Sequence, residues 1–467
     1  MLYACNTNFD IKERRPILSV FDLTVDIGLI SVLLLIGVLF RAKFRFIQRF
    51  FIPASMIAGF IGLALGPNGV GWLPLSEAIA DYPTILIAVI FGAIPIGAAQ
   101  IDWKKAFHQV RNMWLYSMLL TVFMWGGGVM ITLLVIINIW EVPAGFGLVL
   151  GAGFLGGHGT AAAIGEAFAN MGWEEATSLG YTSATIGLLC AIVGGLMIVK
   201  RQAKKNQTSF ISDFKDLPED LRTGLVKEEN RECAGTETIS PNSVDPLFFH
   251  IAIIGVVVVI SYYLQEGLQS LFPQVSVPLL SIAFIIGLLM QMLLRRLKAH
   301  NYVDKPTISR ISGTATDLTV VFGIASINIA VVTSYIIPLV ALFAFGVIWA
   351  YLIFHFISPR TFHQNWFENG IFGWGWSTGT VAMGIALLKV VDPKNQATTL
   401  DDYGLAYVGM VPIEVLIITF GPLLLMNGFG FLYVLILFGS GAILIFIAAK
   451  SGWLVNEKYV KERRKIQ

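Results

Sequence analysis

Two stretches of this chain interrupt apolar surroundings with glycine and hydroxyl residues. They are Gly151-Ala-Gly-Phe-Leu-Gly-Gly-His-Gly-Thr160 and Gly373-Trp-Gly-Trp-Ser-Thr-Gly-Thr380, with Gly159-Thr160 falling on Gly379-Thr380 at an offset of 220 residues. Such breaks free backbone N–H and C=O groups, which must then line a cavity or be buried in protein. Half-helix N-termini attract carboxylates, and freed carbonyls attract cations. Gly157 and Gly159 permit close approach of a ligand, and Thr160 adds a hydroxyl that donates or accepts. Ser377, Thr378, Gly379 and Thr380 offer the same chemistry from the second stretch. The alternative for both is helix packing, since small residues are common where membrane helices cross. His158 has two readings: an anion donor or proton-linked group, and a neutral, hydrogen-bonded ring that fixes the break.

A sodium ion needs a shell of hard oxygen ligands. Pro95 removes a helix hydrogen bond and frees a carbonyl, and Ser326 and Asn328 lie at the matching place of the second half. Together they are the sodium-site candidates, with interhelical glue as the plain alternative for Ser and Asn. Acids inside apolar sequence are functional candidates by default. Glu166 and Glu414 are taken as sodium- or proton-coupling candidates, and Asp317 opens a span. Lys389 reads as an edge residue whose side chain reaches to the interface. Glu77, Asp102 and Asp392 read as interfacial.

The elements that hold these residues follow from composition. The chain has 467 residues, 56% of them apolar and 13% charged. Runs of about 20 apolar residues mark membrane-spanning helices. Eleven are expected: 18–40, 50–66, 83–100, 113–139, 176–199, 246–268, 275–294, 314–332, 334–357, 402–425 and 430–449. The breaks at 142–170 and 366–390 are long enough to enter and leave the membrane on one side, as re-entrant hairpins. Apart from Lys12, Arg14 and Arg15, every Lys and Arg falls on one side of this plan. That bias makes the basic side cytoplasmic, with the N-terminus outside and the C-terminus inside. Lys12 to Arg15 precede an apolar stretch too long for a signal peptide, which is taken as the first span. The basic residues follow the membrane edges, so nothing points to nucleic acid. Cys5, Cys190 and Cys233 have neither metal-ligand spacing nor the pattern of a disulfide framework.

Three pairs of segments indicate duplication. Ile52-Pro53 to Leu63 aligns with Val277-Pro278 to Leu288, Phe91-Gly92 to Gly97 with Phe322-Gly323 to Asn328, and the two Gly-rich breaks with each other. The first half, 18–199, has five spans, so the second, 246–425, starts from the opposite face. Two inverted five-helix repeats result, each with a re-entrant hairpin, joined by a flexible cytoplasmic linker at 200–245. An additional span at 430–449 and a basic cytoplasmic tail at 450–467 follow.

The run Gly156-Gly157-His158-Gly159-Thr160-Ala161-Ala162, Ile52-Pro53, Thr185-Ile-Gly-Leu188 with Gly194-Gly195, and Val411-Pro412 resemble the bacterial sodium/glutamate symporter family. The resemblance spans about residues 20–425. It implies an all-α integral membrane protein of the bacterial inner membrane, homodimeric and of elevator type. It also implies sodium-coupled symport of glutamate or a related small carboxylate, with Na+ as coupling ion and no other cofactor. Spans 1, 2, 6 and 7 would then be the dimerising scaffold, and spans 3–5 and 8–10 the moving part. The chain departs from the family's pattern at Trp374 to Thr380, at Glu414 and in the added eleventh span. A proton-coupled carrier of another organic anion is the alternative, carried by His158, Glu166 and Glu414. An enzyme is not expected: the six histidines are scattered, and His-Glu-x-x-His does not occur. A channel would favour a pore on an oligomer axis, which inverted duplication does not call for.

Overall fold

A computed structural model describes residues 20–98, 103–203, 219–231, 233–272, 277–392 and 396–456. Cys5, Lys12, Arg14, Arg15, Asp102 and the tail beyond residue 456 lie outside the described residues, as do 204–218 and 232 of the expected linker. Every regular element among the described residues is helical. The first half contributes α1 (Val20–Lys43), α2 (Ala54–Leu65), α3 (Tyr82–Ala93), α4 (Trp103–Ile131), α5 (Leu148–Phe154), α6 (Gly157–Ala169) and α7 (Ala176–Ala203). The second contributes α8 (Pro246–Leu271), α9 (Leu279–Arg296), α10 (Lys305–Ala325), α11 (Ile336–Thr361), α12 (Trp366–Gly379), α13 (Val381–Val391) and α14 (Thr399–Met426). The chain then turns back through α15 (Gly430–Lys450).

Eight of these helices are long and apolar enough to cross a membrane, where the sequence suggested eleven spans. The chain is a multi-pass membrane protein. Three expected spans differ, each for a local reason. Pro53 sets the start of α2 at Ala54, so that helix has 12 residues. Pro95 lacks an N–H, and α3 ends at Ala93 after 12 residues rather than running to 100. In the third, α10 begins at Lys305 and carries Ser, Thr and Asp along its length; it stops at Ala325, short of the expected 332. Asn328 then caps the short helix Ile329–Ser334, its Oδ1 accepting from the Ala330 and Val331 amides.

The core forms around α4, whose Trp125 and Tyr116 are fully buried. α7, α11, α12 and α14 surround α4 and the short α5, closing over Phe146, Phe154, Phe367 and Phe372. Aromatic side chains of this size bury the most apolar area per residue and dominate such a core. By contrast, α1, α8 and α15 keep apolar residues such as Phe21, Tyr263 and Leu435 on the outside. Helices apolar all round belong in lipid. The added α15 packs along α4 and α14, with Phe438 against Phe123 and the Trp349 indole donating to the Phe123 carbonyl at 2.8 Å.

The expected linker is flexible in composition, yet its last part is docked. Arg310 Nε donates to the Ala234 carbonyl at 2.7 Å, and the Thr236 hydroxyl donates to Asp304. Burial pushes the Asp304 carboxyl up, but the hydroxyl and amide donors of Thr236 and Thr307 outweigh it and hold it down to about 2.

Candidate functional site

Both Gly-rich stretches fold as helix, break, helix. In the first, α5 ends at Phe154 and α6 begins at Gly157 with φ 70°. In the second, α12 ends at Gly379 and Thr380 stands at φ 82°, ψ 162° before α13. Only glycine adopts the Thr380 conformation freely, and a β-branched residue there stores roughly 1–3 kcal/mol of strain. The two breaks meet: a Cβ added to Gly157 would sit 2.5 Å from Thr380 Cγ2. So the first break needs glycine for its backbone and again for its neighbour.

A cavity of about 290 Å³ opens at this junction. Gly157, His158, Gly159 and Thr160 line it from the first break and Thr380 from the second. Asp317 and Thr319 enter from α10, Ser55 from α2, and Tyr407 and Glu414 from α14. Among the described residues its lining holds two carboxylates and no Lys or Arg. The starts of α6 and α13 both face it, presenting amide donors and the positive ends of two helix dipoles. Anion-binding and cation-binding groups therefore share one small space.

His158 is 2% exposed, and its hydrogen bonding fixes its role. The Thr185 hydroxyl lies 3.1 Å from His158 Nε2 and donates its one proton to the Tyr181 carbonyl at 2.8 Å. Its oxygen must then accept from Nε2–H, so the neutral ring carries its proton on Nε2. Nδ1 is left as a buried acceptor without a partner. The bond to Thr185 ties the ring to α7, while Nδ1 stays open. That free nitrogen suits a donor, not an anion.

The rest of the second stretch stands behind the cavity. Thr378 Oγ1 donates to the Trp374 carbonyl at 2.6 Å, and Ser377 Oγ to the same carbonyl at 3.3 Å. Both hydroxyls are fully buried and spent within their own helix. Gly379 packs on Ala191 and Leu188. The three were expected to contact substrate, but the helical register of α12 turns them inward.

A second, larger cavity of about 810 Å³ holds Glu166, Ser326 and Asn328, together with Glu77, Asp81, Glu174 and Glu266. Gln265 Nε2 donates to Glu166 Oε1 at 2.8 Å, while Glu166 Oε2 is buried without a partner. Ser326 donates to the Gly323 carbonyl at 3.2 Å. Pro95 lines neither cavity. The expected sodium set is thus divided: Ser326 and Asn328 share a cavity, and Pro95 is elsewhere. Among the described residues no group of His, Cys, Asp and Glu is arranged to hold a metal ion.

The sodium/glutamate symporter family model matches residues 20–390. The chain belongs to that family. The match takes in both breaks, His158 and Asp317, and ends before Glu414 and α15. No curated protein matches the chain. Among solved structures it is similar to the sodium–proton antiporter MjNhaP1 from Methanocaldococcus jannaschii, at 16% identity and a TM-score of 0.38, covering 88% of this chain and 99% of that one. A likeness that slight carries no argument here.

Sequence reasoning passed over several groups of the site. Tyr181 drew no notice and Thr185 only as a mark of the family resemblance; their distance to His158 is what makes them part of the site. Asp317 was noted as an acid, but its place in the wall of the smaller cavity was not. Asp26 was missed although an acid within a span is a visible signal. It is fully buried and accepts from the Ser76 amide at 2.9 Å, the Ser76 hydroxyl, and the Tyr82 hydroxyl at 2.8 Å.

Proposed function

We propose that the chain is a sodium-coupled symporter that imports glutamate or a closely related amino-carboxylate through the cavity between the two helix breaks. The observation that carries this reading is the cavity's mixed lining: two helix N-termini for carboxylate, with Asp317, Glu414 and the His158 Nδ1 acceptor for an ammonium. A zwitterion with an extra carboxylate satisfies both kinds of group. A dicarboxylate without an amine leaves two wall carboxylates facing its own charge, at a cost that rises in a low-dielectric site. The acidic second cavity would attract cations, and Glu166, Ser326 and Asn328 are its oxygen donors for sodium.

In this reading the two halves are inverted repeats and work by an elevator motion, with α1, α2, α8 and α9 as a dimerising scaffold. The like order of helices in the two halves supports it, as do the pairing of α1 with α2 and of α8 with α9. The membrane is the bacterial cytoplasmic one. The deciding experiment is uptake of labelled glutamate by purified protein in liposomes, with and without an inward sodium gradient. Uptake indifferent to sodium would remove the coupling claim.

One observation favours a proton-coupled carrier instead: the partnerless Glu166 Oε2, with Glu414 buried in the substrate cavity. Glu414→Gln separates the two. A proton-coupled carrier changes its pH profile of uptake on this substitution; a sodium-coupled one keeps it.

A further inference from the structure

The break that ends α3 has its own cation. Pro95 stops the helix, and the carbonyls of Ala93, Ile94 and Ile96 turn toward one point. The Lys305 ammonium, at the first residue of α10, sits there. Its Nζ lies 2.9 Å from the Ile94 oxygen, 2.8 Å from the Ile96 oxygen and 3.5 Å from the Ala93 oxygen. An ammonium has three donors and no acceptor, so three carbonyls fill its capacity. Lys305 is part-buried, and among the described residues no carboxylate forms an ion pair with it. The residues that follow in the break are held separately: Gly97 N donates to Gln291 Oε1 at 3.0 Å, and Arg295 donates to the Ala98 carbonyl at 2.7 Å.

Converging carbonyls freed by a broken helix are the donor set for a monovalent cation. Here a side chain fills it. We infer that the Lys305 ammonium is a resident cation in a carbonyl cradle made by the break in α3, so that free sodium is excluded from this place while the lysine stays. The cradle is distinct from both cavities and does not depend on the transport reading. If transport proves not to use sodium, the cradle still has its lysine and its latent affinity for small cations.

The geometry makes a specific demand. With the side chain cut back, the Ile94 and Ile96 oxygens lose their donor, Ala93 keeps only the Ile96 amide at 3.2 Å, and the three should accept an ion of similar size. The test is thermal unfolding of the purified wild type, Lys305→Ala and Lys305→Gln in chloride salts of choline, sodium, potassium and methylammonium at one ionic strength. Methylammonium is the discriminating probe, because sodium acting at any other site stabilises all three proteins alike. In choline, Lys305→Ala should unfold several degrees below wild type. Methylammonium or sodium should restore it with a saturable dependence, while wild type gains nothing from methylammonium over choline. Lys305→Gln keeps donors for two carbonyls and serves if the alanine variant does not fold. It should lose less, and small cations should again reverse the loss. Two results overturn the inference: variants that unfold like wild type in choline, or variants destabilised equally in all four salts.

Discussion

The imidazole of His158 lies parallel to the Tyr181 ring, centroids 6.2 Å apart and planes 23° from each other, and each ring faces a different cavity. His158 lines the small cavity at the helix breaks, and Tyr181 lines the large acidic one. The pair is the wall between them, backed by Gly323 of α10, where an added Cβ would press on both rings at 3.1–3.2 Å. Tyr181→Ala removes half of that wall. Sodium flux into proteoliposomes without substrate should then rise several-fold, at a stability cost of about 3–5 kcal/mol for the lost buried ring. Tyr181→Phe keeps the ring and drops only a hydroxyl that has no partner, so it should leave flux near wild type. If the alanine variant stays as tight as the phenylalanine one, the wall lies elsewhere.

Asp26 is the counter-example to treating every intramembrane acid as a transport group. Its carboxylate is fully buried on α1, and its acceptors are spent on Ser76 and Tyr82, which hold the loop before α3. Removing such an acceptor strands the donors it served. Asp26→Ala should therefore cost about 1–3 kcal/mol for each buried donor left without its acceptor. Denaturation in detergent would read the cost directly. A variant that melts like wild type but loses transport would move Asp26 from anchor to carrier.

The two breaks were legible because glycine and hydroxyl residues in apolar sequence have few other uses, and both turn out to begin a helix at the cavity. What could not be read was register. Ser377 and Thr378 are the same residue types as Thr380 and only a few positions away, yet the turn of α12 points them at Trp374 and not at the cavity. The Pro95 break was also legible, since proline ends helices by its own chemistry. Lys305 was not. It lies 210 positions further on, in a polar stretch of basic residues, and only folding shows which carbonyls it reaches. The three expected spans that came out short or polar share this origin. Hydropathy averages over a break, whereas hydrogen bonding does not.

Gly157 and Gly159 look alike in sequence and should behave differently. Alanine at 157 would face both a positive φ and the Thr380 methyl at 2.5 Å. Alanine at 159 meets mainly the end of the Ile87 side chain at 2.7 Å, which can rotate away. Gly157→Ala should abolish uptake and lower the melting temperature, and Gly159→Ala should keep a measurable rate. Across the junction, Thr380→Gly relieves backbone strain of roughly 1–3 kcal/mol, offset in part by the added freedom of glycine in the unfolded chain. That variant should melt no lower than wild type yet bind substrate less well. Equal effects at 157 and 159 would mean that the tips do not pack as described.

The carboxylates of the small cavity make the substrate question answerable with two compounds. Glutamate and glutarate differ only by the amino group, and among the described residues no Lys or Arg lines the cavity to favour the dianion. Glutamate should compete for uptake far better than glutarate in the wild type. Asp317 stands in the wall with Ser55 and is exposed to the cavity. If it receives the ammonium, Asp317→Asn loses a charge-assisted bond worth about 1.5–3 kcal/mol, roughly a ten- to hundredfold fall in glutamate affinity. Glutarate, which lacks that bond, should bind the variant no worse and gains from the removed negative charge. Selectivity between the two should therefore collapse from both sides. Glutarate competing as well as glutamate in the wild type would reject an amino-carboxylate site, and an unchanged ratio in Asp317→Asn would pass the ammonium to Glu414 or His158 Nδ1.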